Sequence, residues 1–312
     1  GEYFIYLLTI MSIMIIVVQG LNVMIGFCGL FSFAQAGFMA FGAYFGSILV
    51  TKLPWVPFPL VILIVGIVSA SLGVLVGFPC LRLSGFYLAM ATFGFSAVIF
   101  ELIEYFSPLT GGSEGMYVPS ATIGNLKIHS IMGIFYLVAV ITVITQIAVQ
   151  HIAKTKTGRA WNAIRDDEIA ASSMGIDVQN YKLRAFAFGT FYAGIGGILY
   201  AYLLKFLNVN FFSGDMGLSF FLILVVGGIG TIYGPVLGSI FITLLPQILG
   251  GAFSQHMSLV YGVILVSFIL LAPQGFYGIW SQLILRTKSN DNLLGTIFNL
   301  FILNKKGREK YE

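Results

Sequence analysis

Charge is scarce in this chain: only 9% of its 312 residues are Asp, Glu, Lys or Arg, while 58% are hydrophobic and the mean hydropathy is +0.96. That balance excludes a soluble globule of this length, whose composition carries about 25% charged residues. Cysteine is thin as well. Cys28 and Cys80 stand apart in apolar surroundings, which excludes a disulfide framework or a thiolate metal site. The three histidines, His129, His151 and His256, form no pair at helical ligand spacing, so no metal centre is indicated. No Ser-His-Asp order and no CxxC occurs, and the glycine-rich GGIGTIYG (227–234) lacks the Lys-Ser/Thr of a phosphate loop. A membrane-embedded enzyme would need a convergent acid, base or metal set that this sequence does not offer.

What the chain has in quantity is apolar runs. About 20 apolar residues cross a bilayer core of roughly 30 Å. Six of the sixteen Lys and Arg lie between Lys154 and Arg184 and six between Arg286 and Lys310, which assigns both regions to the cytoplasm. The polar stretch 107–130 carries one Lys and is assigned outside. Spans are therefore predicted at 3–25, 27–50, 60–79, 86–106, 131–153, 186–207 and 259–283. The stretch 217–251 would measure about 50 Å as one helix, too long for one crossing. Its interruption at 227–235 reads either as two short spans meeting at an inner turn or as two half-helices re-entering from outside. The first option gives nine spans with Gly1 outside, and an external start suggests one earlier span, ten in the full-length protein. The expected fold class is an all-α polytopic membrane protein, with a transmembrane domain over 1–285 and a basic cytoplasmic tail over 286–312. Glycine-rich segments at 26–46 and 227–238 hint at an internal repeat.

One cytoplasmic stretch differs from the rest. Residues 157–175, TGRAWNAIRDDEIAASSMG, read as an amphipathic helix with Trp161, Ile164, Ala171 and Met174 on one face, Arg159, Asn162 and Asp166 on the other, and Gly175 as its C-terminal cap. Asp167 and Glu168 fall inside the apolar arc. A protein groove with polar partners suits that pattern; a membrane-surface linker is the competing reading.

Within the predicted spans, Glu101 and Glu104 are the only acids, both toward an outer end. Ion-coupled carriers place carboxylates or basic groups near the midplane, so energy for transport is expected to enter through the cytoplasmic helix. The uncharged polar residues Gln19, Asn22, Ser32, Gln35, Ser84, Thr92 and Ser96 are few. Of these, Asn22, Ser32, Gln35, Thr92 and Ser96 are candidates to line a translocation pathway, with FSFAQAGFMAFGAY (31–44) the foremost segment. Interhelical hydrogen bonding, at about 0.6 kcal/mol each, is the alternative role. Outside, TGGSEG offers Thr110, Gly111, Gly112, Ser113 and Glu114 as a docking loop or a plain turn.

Six blocks in order carry a family resemblance: GLNVMIGFCGLFSFAQAGFMAFGAY (20–44), LRLSGFYLAMATFGF (81–95), TGGSEGM (110–116), GRAWNAIRDDEIAASSMGID (158–177), GGIGTIYGPVLGS (227–239) and APQGFYGIW (272–280). The chain resembles LivM-type permeases of branched-chain amino acid ABC transporters over about residues 3–280. The resemblance implies a transport subunit of a bacterial inner membrane with no catalytic site or cofactor of its own. ATP and Mg would be handled by two ATP-binding cassette subunits, beside a second related permease and an extracytoplasmic solute-binding protein, with membrane lipid around and no nucleic acid. Gly158, Arg159, Glu168 and Gly175 match the family's coupling motif, and Trp161 and Ile164 are expected to be presented to the ATPase. Phe31 and Phe33 depart from the smaller or polar residues usual around Ser32. A urea or short-amide importer of the same family remains open, as does, outside it, a stand-alone channel or secondary carrier; the latter would have no use for a docking helix.

Overall fold

A computed structural model of the chain describes residues 2–83, 85–119, 121–123, 126–128, 130–249, 257–271 and 275–278. Ser84, His129, His256 and the basic tail lie outside the described residues. Helices dominate because apolar segments in lipid must satisfy their backbone groups internally. In chain order they are α1 (Glu2–Asn22), prolonged by a π-helical turn (Val23–Phe27), α2 (Gln35–Lys52), α3 (Phe58–Cys80), α4 (Phe86–Tyr105), α5 (Ser107–Thr110), α6 (Ile131–Lys154), α7 (Lys156–Asp166), α8 (Glu168–Ser173), α9 (Val178–Leu204), α10 (Gly214–Gly227), α11 (Gly234–Leu249) and α12 (Met257–Leu271). Short strands β1 (Met116–Tyr117), β2 (Ala121–Ile123), β3 (Leu126–Ile128) and β4 (Phe206–Leu207) pair antiparallel as β1 with β4 and β2 with β3. The fold is an all-α polytopic membrane protein. Seven apolar helical segments among the described residues are long enough to cross a membrane; the expected count of nine also included α2 and the shorter α11, which do not meet that measure.

The centre of the bundle is α9, packed on α1, α2 and α3. Small residues make this possible. A side chain at Gly42 would strike the Gly194 backbone and one at Gly197 the Met39 carbonyl, so α2 and α9 cross almost backbone to backbone.

Two segments depart from the expected spans, and both position the site. The span predicted over 27–50 is helical only from Gln35. The Cys28, Gly29 and Leu30 N–H groups still donate back to the Val23, Ile25 and Met24 carbonyls, but residues 31–33 run without helical pairing, so side chains must satisfy their backbone. The Phe33 N–H donates to Thr92 Oγ1 at 3.0 Å, the Ser96 hydroxyl donates to the Phe33 carbonyl at 3.1 Å, and the Ala34 N–H donates to Ser32 Oγ at 3.2 Å. Gln35 Nε2 donates to the Val17 and Gly189 carbonyls at 2.9 and 3.1 Å. Val17 lies ten residues before the end of the π-turn, about 15 Å up the helix axis. Therefore α2 starts about halfway through the bilayer core.

The second departure is at 208–216, expected outside. After β4 the chain turns inward through a 3₁₀ turn (Val209–Phe212), and α10 begins with Gly214 against the ring of Phe93, in the middle of α4. Gly217 meets the Ala36 side chain, one residue into α2, so α10 also starts near mid-depth. Its 14 residues then run about 21 Å to the turn at 228–233. Beyond it α11 returns and packs on α10. The stretch 217–251 is therefore two helices, α10 and α11, joined by a turn at 228–233.

Candidate functional site

The segment 156–173, expected in the cytoplasm, is two helices, not one. At Asp167 (φ −157°, ψ 113°) the backbone extends, and Asp167 Oδ1 accepts the Ile169 and Ala170 N–H groups, both at 2.9 Å. The carboxylate that seemed misplaced in an apolar arc is an N-cap for α8. Gly175 (φ 80°) ends α8 as expected: its N–H donates to the Ser172 carbonyl and that of Ile176 to Ala171, the Schellman pattern.

The break resets the faces. Trp161 and Ile164, expected to face the cytoplasm, are 2% and 4% exposed. Trp161 Nε1 donates to the Tyr181 carbonyl at 2.9 Å, and the indole packs near Phe188. Gly158 is buried against the Ala153 backbone, and Arg159 Nη1 donates to the Lys154 carbonyl at 3.0 Å. Lys182 Nζ, in the second turn of α9, donates to Glu168 Oε2 at 2.6 Å. These contacts seat α7 and α8 on the base of α9. Met174, expected on the same face as Trp161, is parted from it: Met174 is 85% exposed, and Ile169 is 81% exposed.

Arg165 was singled out by no sequence signal; it looks like any other cytoplasmic cation. Its Nη1 donates at 2.8 Å to the carbonyl of Gly26, in the π-turn that ends α1. Asp166 holds the guanidinium from the other side at 3.0 Å. Gly26 in turn lies against the backbone of Gly230, bringing together the two glycine-rich segments noted in the sequence. Asn22 fastens that junction, its Nδ2 donating to the Thr231 carbonyl at 2.8 Å and its Oδ1 accepting the Gly230 N–H at 2.9 Å.

The five candidate pathway residues therefore fall into two groups. Asn22 sits with the inner turn; Ser32, Gln35, Thr92 and Ser96 surround the unwound segment. All five are buried, with polar atoms used inside the chain except for Gln35 Oε1, which has no partner among the described residues. Ser96 reaches a pocket walled by Phe33, Ala36, Phe93, Ala97 and Phe100 and floored by Gly214 and Gly217. On the outer side, TGGSEG is an ordered turn. Thr110 Oγ1 donates to the Ile103 carbonyl at 2.6 Å and accepts the Gly112 N–H at 3.1 Å; Gly111 and Gly112 take positive φ. Asn208 Nδ2 donates to the Ser113 carbonyl at 3.0 Å beside the β1–β4 pair, while Ser113 and Glu114 remain exposed. Among the described residues no group of His, Cys, Asp or Glu is placed to hold a metal ion.

The family model described as branched-chain amino acid transport system / permease component matches residues 3–272. The high-affinity branched-chain amino acid transport system permease protein LivM of Salmonella typhimurium is 31% identical, over 86% of this chain and 68% of its own length. The LivH permease protein of the same organism is 26% identical over 56% of this chain and 60% of its own length. The probable LivH of Methanocaldococcus jannaschii is 25% identical over 81% and 84%. No solved structure gives a significant match.

Proposed function

We propose, from the premise that this chain belongs to the family of branched-chain amino acid transport system permease components, that it is the membrane-spanning subunit of an ATP-driven importer of branched-chain amino acids. It is a multi-pass transport subunit of the bacterial inner membrane. ATP and Mg would be bound by two partner cassette subunits, and solute would arrive on an extracytoplasmic binding protein. Salmonella typhimurium has two such permease proteins, LivM and LivH, both similar to this chain. That supports pairing with a second, related permease.

The observation that carries this reading is the cytoplasmic helix pair. Ile169 and Met174 are exposed apolar side chains at the two ends of α8, on helices fastened to α9 by Trp161 and the Glu168–Lys182 pair. Exposed apolar side chains on a rigid mount suit a groove in a soluble partner. Gly158, Arg159, Trp161, Ile164, Glu168 and Gly175 would act as that mount, shaping and anchoring the contact. ATP-driven closure of the partners would then move α7 and α8, and with them the spans they join, α6 and α9. Access would alternate between the two sides as those spans tilt. The turn at Thr110, Gly111, Gly112, Ser113 and Glu114, clipped to the 205–208 segment, would meet the binding protein.

The test is ATP hydrolysis by the purified assembly in lipid, with and without its binding protein, across leucine, isoleucine, valine, urea and acetamide. Stimulation by the three amino acids supports the reading; stimulation by urea or acetamide alone would redirect it to amides. Absence of ATP hydrolysis together with passive flux through this chain alone would overturn it in favour of a channel.

A further inference from the structure

The pocket between α2, α4 and α10 is a cavity of about 130 Å³. It lies at half depth, because Ala36 stands in the first turn of α2, Gly217 of α10 meets it, and the neighbouring Gly37 packs on Ser96 in the middle of α4. Two helices begin around it inside the bilayer core, and the solute sites of transporters lie near the midplane among such discontinuous helices. Its lining is apolar apart from Ser96, whose hydroxyl is already spent on the Phe33 carbonyl. An apolar cavity of about 150 Å³ accepts benzene, so this one has room for a branched aliphatic group.

Burial shows where the cavity opens. Ala36 and Gly217 are buried at its back, while Phe93 and Ala97 are exposed, so the mouth lies on the exposed face of α4. Glu101 and Glu104 follow Ala97 one and two helical turns on, on that same face, exposed and without ion pairs among the described residues. Carboxylates within a span face water-filled paths or protein, not hydrocarbon. The mouth therefore opens on a route to the outer side and not on lipid tails.

Resting on the proposed amino-acid importer, we infer that this cavity is a solute subsite for the branched side chain of leucine, isoleucine or valine, and that Gly217 and Phe33 set its size. Phe33 is held by its backbone, through Thr92 and Ser96, and its ring packs on Phe221 of α10 with centroids 5.8 Å apart. Changing its side chain leaves the two anchoring bonds in place. Gly217 leaves room at the floor: a Cβ there would sit 3.6 Å from the Ala36 side chain, an ordinary contact. Gly217→Ala therefore fits the packing and takes space from the cavity alone. Alanine is also favoured over glycine within a helix.

The test uses the whole assembly in proteoliposomes with its binding protein, and leucine and valine as paired solutes. Valine is shorter than leucine by one methylene, close to what the added methyl of Gly217→Ala occupies. One methylene in an apolar pocket is worth about 10-fold or more, so Gly217→Ala should shift the leucine-to-valine uptake ratio about 10-fold toward valine, without earlier thermal unfolding. Phe33→Ala widens the cavity and should shift the ratio toward leucine. An unchanged ratio in Gly217→Ala, or equal loss of both solutes, would overturn the subsite. Ala97→Cys at the mouth should react with a water-soluble methanethiosulfonate above the background of Cys28 and Cys80, and leucine should slow that reaction several-fold. Reaction with a lipid-soluble maleimide alone would make the occupant an acyl chain, and reaction only after removal of the second permease would make it a partner side chain; either result overturns the subsite. If the wild-type assembly gives no leucine-stimulated hydrolysis, the importer reading fails and the subsite with it, whereas stimulated hydrolysis with an unshifted ratio overturns the subsite alone.

Discussion

Arg165 Nη1 lies 2.8 Å from the carbonyl oxygen of Gly26, so the cytoplasmic helix α7 is tied directly to the π-turn that ends α1. The bond satisfies a carbonyl at a helix C-terminus, where cations are favoured. Because Gly26 also rests on Gly230, any displacement of α7 is passed to the inner turn between α10 and α11. Arg165→Ala should leave the cassette subunits bound and hydrolysing ATP while the amount of leucine moved per ATP falls at least 5-fold. Equal loss of hydrolysis and uptake would make Arg165 part of the docking surface instead.

Asn22 is the other half of this junction. It serves two backbone groups of the inner turn at 2.9 and 2.8 Å, and its removal would leave both without partners in an apolar site. At about 1–3 kcal/mol for each buried group left unpaired, Asn22→Leu should lower the thermal unfolding temperature clearly. Asn22→Asp keeps the acceptor for the Gly230 N–H and loses the donor to Thr231, so it should fall between. Gly26→Ala has no room against Asn22 Oδ1 and the Gly230 backbone, and the same unfolding measurement should show it at least as damaged as Asn22→Leu.

The cytoplasmic helices separate a mount from a contact. Ile169→Asp and Met174→Asp touch only exposed side chains, and should abolish co-purification of the cassette subunits without lowering the unfolding temperature. Trp161→Ala removes a buried indole and its bond to the Tyr181 carbonyl, a loss of about 3–5 kcal/mol by analogy with other buried aromatics. Glu168→Ala leaves the mostly buried Lys182 ammonium unpaired, a cost between the roughly 0.5 kcal/mol of an exposed pair and about 3 kcal/mol of a buried one. Both should unfold earlier. Loss of partner binding by Trp161→Ala at unchanged stability would restore Trp161 to the contact surface.

The helical, membrane-crossing character of this chain was legible because hydropathy and the Lys/Arg asymmetry act over whole segments. Gly175 was legible because its capping signal is local. An unbroken helical wheel wrongly grouped Met174 with Trp161 and Ile164 on one face, since the cap at Asp167 uses a residue that also fits inside a helix. The start of α2 was missed for a different reason. Its unwound approach is held by Thr92, Ser96, Val17 and Gly189, residues distant in sequence whose polar groups give no periodic signal.

The unwound segment itself yields the last prediction. Both backbone groups of Phe33 are bound by hydroxyls one turn apart on α4, and no water from the bilayer core can replace them. Thr92→Val keeps the side-chain shape and removes the acceptor for the Phe33 N–H, together with the hydroxyl's own bonds to the Leu88 and Ala89 carbonyls of its helix. Ser96→Ala removes only the donor to its carbonyl. Each should cost about 1–3 kcal/mol, and because both bonds fix one residue, the double variant should differ from the sum of the two single ones. Displacement of Phe33 would also open the wall of the pocket it shares with Phe93 and Phe100, so leucine uptake should fall in both single variants further than stability alone accounts for. Thermal unfolding and uptake measured on the same preparations give the two numbers. Full uptake by Thr92→Val would mean that Phe33 holds its place through packing, and that the hydroxyls serve stability only.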